Sequence, residues 1–208
     1  SNEEYAAVLK YIDSGNFDVV VFQEFTPQWQ DRFLEIEEDF EYQELYPAEG
    51  VFGFGIYSKI EIQGSKIAYI SNQTILTVMM DLNYENQEVG LMAVHPPPPI
   101  NEGMFSARND VFESIKSHAM YYPNQLLVIG DLNSSGFSPN FKLLTKSGRL
   151  KDSRKGFGLL PTWHAQWPLI RITLDHALVT EGLEVLDRGT GPDIGSDHLP
   201  IFIEISYK

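Results

Sequence analysis

Gly195-Ser196-Asp197-His198-Leu199-Pro200 leads straight into Ile201-Phe202-Ile203-Glu204-Ile205. The stretch sets an acid beside a histidine at the mouth of an apolar, alternating strand. Such a pair can hold a divalent metal with one side chain and meet a phosphate oxygen with the other. Its weight comes from three earlier stretches of the same kind. Gln23-Glu24 follows Asp18-Val19-Val20-Val21-Phe22, Gly130-Asp131-Leu132-Asn133 follows Gln125-Leu126-Leu127-Val128-Ile129, and Asp175-His176 follows Arg171-Ile172-Thr173-Leu174. In each, carboxylates or an amide stand in or at the end of a hydrophobic strand.

Between these stretches the pattern alternates strands with helices. Apolar residues at Tyr5, Val8, Leu9 and Ile12 predict a helix closed by Gly15-Asn16, with Asn2 as a candidate cap and Glu3 and Glu4 at its positive end. Residues 27–36, 105–120 and 139–147 predict three more helices, the last closed by Gly148. Strands are expected over 18–22, 52–57, 61–69, 125–129, 172–180, 183–187 and 201–206. A hairpin is expected from 74–82 and 88–95 across Asn83-Tyr84-Glu85-Asn86, stopped by the prolines at 96–99. Fully apolar strands with helices between them imply layers. The mixture of hairpins and crossovers predicts an α/β sandwich of two sheets in a single domain, 1–208.

The 208 residues suffice for one sizeable core. A hydrophobic content of 43% with 21% charged residues fits a folded protein. The net charge of −14 argues against a basic nucleic-acid surface. It leaves phosphate-bearing substrates open, because a bound cation reverses the local sign. There is no cysteine, hence no disulfide, thiolate metal site or cysteine nucleophile. No apolar run is long enough to cross a membrane as a helix. The chain opens Ser1-Asn2 without methionine, so a signal or anchor could lie upstream.

Ligand sites in α/β proteins favour the loops beyond strand ends. Glu24, His95, Asp131, Asn133, Asp175, Asp197 and His198 all fall there. Asp131 and Asn133 are two apart, which on a strand sends both side chains to one face. Each residue has an ordinary alternative, such as a turn former at Asp131 or a helix-start acid at Glu24. It is their occurrence as an ordered set that points to chemistry.

That set resembles the endonuclease/exonuclease/phosphatase family, from about Asp18 to the C-terminus. The resemblance rests on Asp18-Val19-Val20-Val21-Phe22-Gln23-Glu24, Val94-His95, Gly130-Asp131-Leu132-Asn133, Leu174-Asp175-His176 and Ser196-Asp197-His198-Leu199-Pro200. Gly53-Phe54-Gly55-Ile56-Tyr57-Ser58-Lys59 resembles the family's mid-chain strand. The resemblance implies a four-layer α/β sandwich with two mixed sheets face to face, and a Mg²⁺- or Mn²⁺-dependent phosphoester hydrolase. It implies Glu24 and Asp197 at the metal, Asp131 as the group that deprotonates water, and Asn133 on the phosphate. His198, oriented by Asp175, would meet the scissile phosphate, and His95 would donate to phosphate or leaving group. Trp163 and Arg171, in and beside the loop Thr162-Trp163-His164 with Trp167-Pro168, are candidate substrate contacts; Arg108 and Arg154 rank below them.

Family members open with a strand whose asparagine joins the metal site, whereas this chain opens with the helix that follows. A gap or an exposed sheet edge is therefore expected. Charge makes nucleic acid the less favoured partner, although a nuclease stays open, as does a non-catalytic binding module. The proline loop and Thr162-Trp163 resemble a bacterial subgroup with hydrophobic segments ahead of the domain. A small or lipid-linked phosphoester, a membrane surface reached through an N-terminal segment, an extracytoplasmic location and a monomer are the matching expectations.

Overall fold

A computed structural model describes residues 3–36 (without the Glu35 side chain), 38–71, 75–146 and 149–208. Helix α1 (Tyr5–Gly15) buries Val8 and Ile12, one turn apart, and ends at Asn16 in the left-handed region. Glu4 stands at its N-cap but does not cap it through its side chain; the expected cap, Asn2, lies outside the described residues. Strand β1 (Val19–Gln23) is followed by α2 (Pro27–Arg32), which Thr26 caps by accepting from the Trp29 amide. The helix expected to reach residue 36 tightens into a 3₁₀ turn over Phe33–Ile36.

Then come β2 (Tyr42–Tyr46), β3 (Phe54–Ser58), β4 (Glu61–Ile70), β5 (Ile75–Tyr84) and β6 (Gln87–Val94). The chain continues through α3 (Glu102–Tyr121), β7 (Gln125–Asp131), α4 (Pro139–Lys146), β8 (Leu150–Asp152), β9 (Asp175–Thr180), β10 (Leu183–Thr190) and β11 (Ile201–Tyr207). Helix α3 starts three residues before its expected boundary because the Asn101 carboxamide accepts from the Met104 amide. Thr74, Ser147 and Gly148, which bounded expected elements, lie outside the described residues.

One layer is a six-stranded sheet ordered β4-β5-β6-β7-β9-β8. Its one parallel pair, β6 with β7, is joined by α3 as the crossover. Alternation along β7 decides both faces. Leu126 and Val128 meet Val111, Ile115, Phe141 and Leu144 of α3 and α4. Leu127 turns to the opposite core, against Phe54 and Ile56 of β3 and partly buried Val19, Val185 and Ile203. The facing layer is covered in turn by α1 and α2, through Val8, Ile12, Trp29 and Phe33 packed with Phe25 and Tyr57. The order helix, sheet, sheet, helix gives the four-layer sandwich expected.

The facing layer departs from the expectation of one mixed sheet. It is two antiparallel ribbons, β1-β3-β2 and β10-β11. Strand β1 pairs with β3 and β11 with β10, and nothing described pairs with either strand's other edge. The two strands line a cleft of about 1700 Å³, with Leu82, Leu91, Leu127 and Ile129 from the opposite sheet and Tyr11 and Ile12 from α1. The gap expected from the sequence corresponds to this division. No described helix is long and apolar enough to cross a membrane.

Candidate active site

Strand direction gathers the site. The C-terminal ends of parallel β6 and β7 carry His95 and Asp131, and Asp175 at the start of antiparallel β9 pairs directly with Asp131. Glu24 follows β1, and Asp197 and His198 precede β11. Gln23 clamps the two layers here: its Nε2 donates to the Val94 carbonyl at 2.7 Å and its Oε1 accepts from the Asp131 amide at 3.0 Å. Gly130 allows that approach, since a Cβ on it would lie 2.0 Å from the Val94 oxygen. Two site residues, Glu24 and Asn133, hold the left-handed backbone that non-glycine residues rarely adopt.

Asp131 is buried at the centre. Its Oδ2 lies 3.8 Å from His95 Nε2 and 3.8 Å from His198 Nε2. Burial, then the Asp175 charge, pushes its carboxyl up to about 7, against the opposing pull of His198 and the Asn133 amide. His198 Nδ1 donates to Asp175 Oδ2 at 2.8 Å. Burial alone would lower its pKa, but the bond to Asp175 and the charges of Asp175, Asp131 and Asp197 prevail and raise it to about 9. His198 is therefore an imidazolium at neutral pH, with Nε2–H facing Asp131.

His95 differs. Its Nδ1 lies 3.0 Å from the Val51 carbonyl, which can only accept, so Nδ1 carries the proton. Burial lowers its pKa, leaving a neutral ring whose Nε2 is an acceptor. The donor role expected for His95 thus requires it first to take up a proton.

Asp131 and Asn133 converge for a reason other than strand pleat. Strand β7 stops at Asp131, and the Asn133 amide turns back to Asp131 Oδ1 at 2.7 Å. The Asn133 side-chain amide donates to the Pro96 carbonyl at 3.0 Å, tying the proline loop to the site. The strand expected from residue 172 begins at Asp175, preceded by a single bridge between Trp163 and Ile172.

The Trp163 loop is a strap. Trp163 Nε1 donates to Asp197 Oδ2 at 3.2 Å, and the Ala165 amide donates to the Asp197 carbonyl at 2.7 Å. The buried Thr162 hydroxyl accepts from the Leu174 and Asp175 amides. Arg171, a candidate substrate contact, spends its guanidinium on the His164 and Ala165 carbonyls of its own loop. Arg108 donates to the Asn133 carbonyl beneath Phe105, and Arg154 pairs with Asp152 at 2.6 Å. Three residues that support the site stand within the motifs quoted from the sequence but were given no role there: Gln23, Thr162 and His176. His176, neutral and buried, holds the Ser134 carbonyl at 2.8 Å. Membership of a motif was their one available signal.

The donor set fits a hard divalent cation. Burial and then Asp197 raise the Glu24 pKa, which means the two carboxyls are close enough to repel. A cation between them would relieve that repulsion. Asp131, Asp175 and His198 form a second compatible group, with ligand atoms within 4.8 Å of one another. In that group His198 is already bonded to Asp175 and raised in pKa, which opposes metal ligation by the ring.

Comparison with known proteins agrees with this arrangement. The sequence pattern of the Endonuclease/Exonuclease/phosphatase family matches residues 1–198. This chain belongs to that family. Family members are hydrolases of phosphoesters and generally use divalent metals. No curated protein sequence matches the chain. Among solved structures, the zebrafish (D. rerio) TDP2 complexed with single-strand DNA product superposes with a TM-score of 0.83 at 15% identity, covering 98% of this chain and 91% of that one. The Bacteroides thetaiotaomicron mannosyl-6-phosphatase gives 0.75 at 14%, covering 99% and 91%. The human Nocturnin catalytic domain with bound sulfate gives 0.78 at 16%, covering 99% and 87%. At these identities the likeness is one of fold.

Proposed function

We propose that this family member is a divalent-metal-dependent phosphoester hydrolase, acting on a small or lipid-linked phosphoester by in-line attack of water. The observation that carries the reading is Asp131 Oδ2, buried and 3.8 Å from each of two imidazoles that differ in protonation. A gap of 3.8 Å is too long for a direct hydrogen bond and suits one bridging oxygen.

Glu24 and Asp197 would hold the metal, which when bound supplies positive charge to phosphate oxygens. Asp131 accepts a proton from the attacking water as its oxygen bonds to phosphorus and the ester P–O bond breaks. His198 directs its Nε2–H at a phosphate oxygen and, being charged, offsets charge developing there. Asp175 fixes the His198 ring and its charge. Asn133 orients the phosphate. His95, sharing Asp131 Oδ2, takes up the proton that Asp131 received and passes it to the leaving oxygen. Trp163 orients the Asp197 carboxylate through its N–H and lends its ring to the substrate side of the loop.

The test is hydrolysis of bis-p-nitrophenyl phosphate and p-nitrophenyl phosphate with Mg²⁺, Mn²⁺ or EDTA. Metal-dependent turnover abolished by EDTA is the expected result. Turnover that persists in EDTA, or none with either ester at any metal concentration, contradicts the proposal.

A further inference from the structure

Four of the segments around the site are apolar and almost free of charge, whereas the loops at Glu24 and at Asp193 to Asp197 carry acids. Ile100 (75% exposed), Phe137 (72%) and Leu159 (65%) project into solvent, and Leu169 is fully exposed. Phe52 and Trp167 are exposed as well. Large exposed apolar groups scattered singly are ordinary. These sit on loops that are each tied to a site residue.

Phe52 sits 6.3 Å from the His95 ring, beside the Val51 carbonyl that fixes that ring. Ile100 ends the proline loop that holds Asn133. Phe137 follows the turn whose Ser134 carbonyl His176 holds. Leu159 offers its carbonyl to Thr173, two residues before Asp175. Trp167 stacks on His164 at 4.9 Å, within the strap that grips Asp197.

Charge marks the same loops. Segments 50–57, 96–101, 132–141 and 156–172 hold between them one Asp, Glu, Lys or Arg side chain, Arg171, in a chain where 21% of residues are charged. Arg171 is itself engaged by loop carbonyls. A nucleic-acid strand needs lysine or arginine along its phosphates, and this rim offers none free. A soluble sugar phosphate can stack on an aromatic ring but gains nothing from exposed Ile100, Leu159 and Leu169. Aromatic and aliphatic side chains suit the boundary between headgroups and acyl chains.

We propose that this end of the molecule docks on a zwitterionic lipid surface and that the substrate is the phosphoester headgroup of an assembled lipid. The net charge of −14 selects zwitterionic over anionic lipid. Docked in this way, the loop tips enter the interface while Asp131 and His198 meet the headgroup. The substrate half of the proposal rests on the phosphoesterase reading; the docking half does not, and the test separates them.

Co-flotation with phosphatidylcholine vesicles tests docking, with turnover of bis-p-nitrophenyl phosphate measured on the same samples. Wild type should float with the vesicles, and Phe137→Ser and Leu169→Ser should each weaken binding several-fold, together at least tenfold. Their turnover of the soluble ester should be unchanged, which also reports an intact fold. Asp131→Ala should float like wild type. Vesicles rich in phosphatidylserine should bind less at low salt. Wild type that fails to float, serine variants that float equally well, or tighter binding to anionic vesicles or to an oligonucleotide would each overturn docking. Flotation of wild type and Asp131→Ala without metal-dependent phosphate-ester cleavage would leave docking standing and sink the phosphoesterase reading.

Discussion

In the six-stranded layer, β5, β6, β7 and β9 each have a partner on both sides, and β6, β7 and β9 carry His95, Asp131 and Asp175. In the facing layer, β1 and β11 each have one partner, with a cleft between them, and next to these strands stand Glu24, Asp197 and His198. In the proposed mechanism Asp131, His95 and Asp175 stand on or directly after doubly paired strands, while His198 and the two carboxylates that would hold a cation stand at free edges, tied across by the Gln23 clamp, the Trp163 strap and the His198–Asp175 bond. The site is therefore half rigid frame and half cross-linked edge. Position matters most to proton transfer, where an error of about 1 Å can cost about a hundredfold.

The sharpest test of that contrast is amide hydrogen exchange. Amides of β6 and β7 should be protected at least about a thousandfold more than the cleft-facing amides of β1 and β11. Equal protection would break the comparison. Core truncation comes next. Leu178→Ala, at a fully buried position of β9, should cost about 3 kcal/mol in chemical denaturation. Ile203→Ala, which lines the cleft, should cost about 1 kcal/mol, because one side of Ile203 already lacks neighbours. Trp163→Phe keeps the ring and removes the N–H on Asp197. It should weaken Mg²⁺ binding by about tenfold while leaving turnover at saturating metal within about threefold.

The smallest effect is in pH. Activity should rise as Asp131 ionises, with an acid limb no higher than about 7. Bound metal favours the carboxylate, so raising its concentration should move that limb lower. The alkaline limb should lie no higher than about 9, where His198 loses its proton, since a cation at Asp197 offsets one of the charges that raise it. Asp175→Asn removes the partner that raises His198, so the alkaline limb should move to lower pH. An unmoved limb would assign that ionisation to another group.

Much of this was legible because apolar runs and their punctuation are local. The apolar strands and the acids at their ends needed only the sequence around Phe22, Ile129 and Ile201, although of the three only β7 is buried and β1 and β11 are half-buried beside the cleft. What was not legible depends on contacts between distant residues. Strand β2 was unforeseen because Tyr42–Tyr46 is half-buried throughout and is held by its pairing with β3. Strand β8 has three residues, too few to show alternation. The arginines look alike in sequence, and packing alone turns Arg108 and Arg171 to backbone carbonyls. The pleat argument for Asp131 and Asn133 reached the right neighbours by a wrong route, because the strand ends one residue before Leu132. The protonation of His95 depends on Val51, 44 residues away.

The most direct measurement compares Asp131→Asn with wild type for metal binding by calorimetry and for diester turnover. The substitution keeps shape and removes the base. The account predicts Mg²⁺ or Mn²⁺ binding within a few-fold of wild type, an unchanged fold, and turnover lower by about a thousandfold. Turnover within about tenfold of wild type, with binding intact, would contradict the assignment of Asp131 as the group that takes the proton from water.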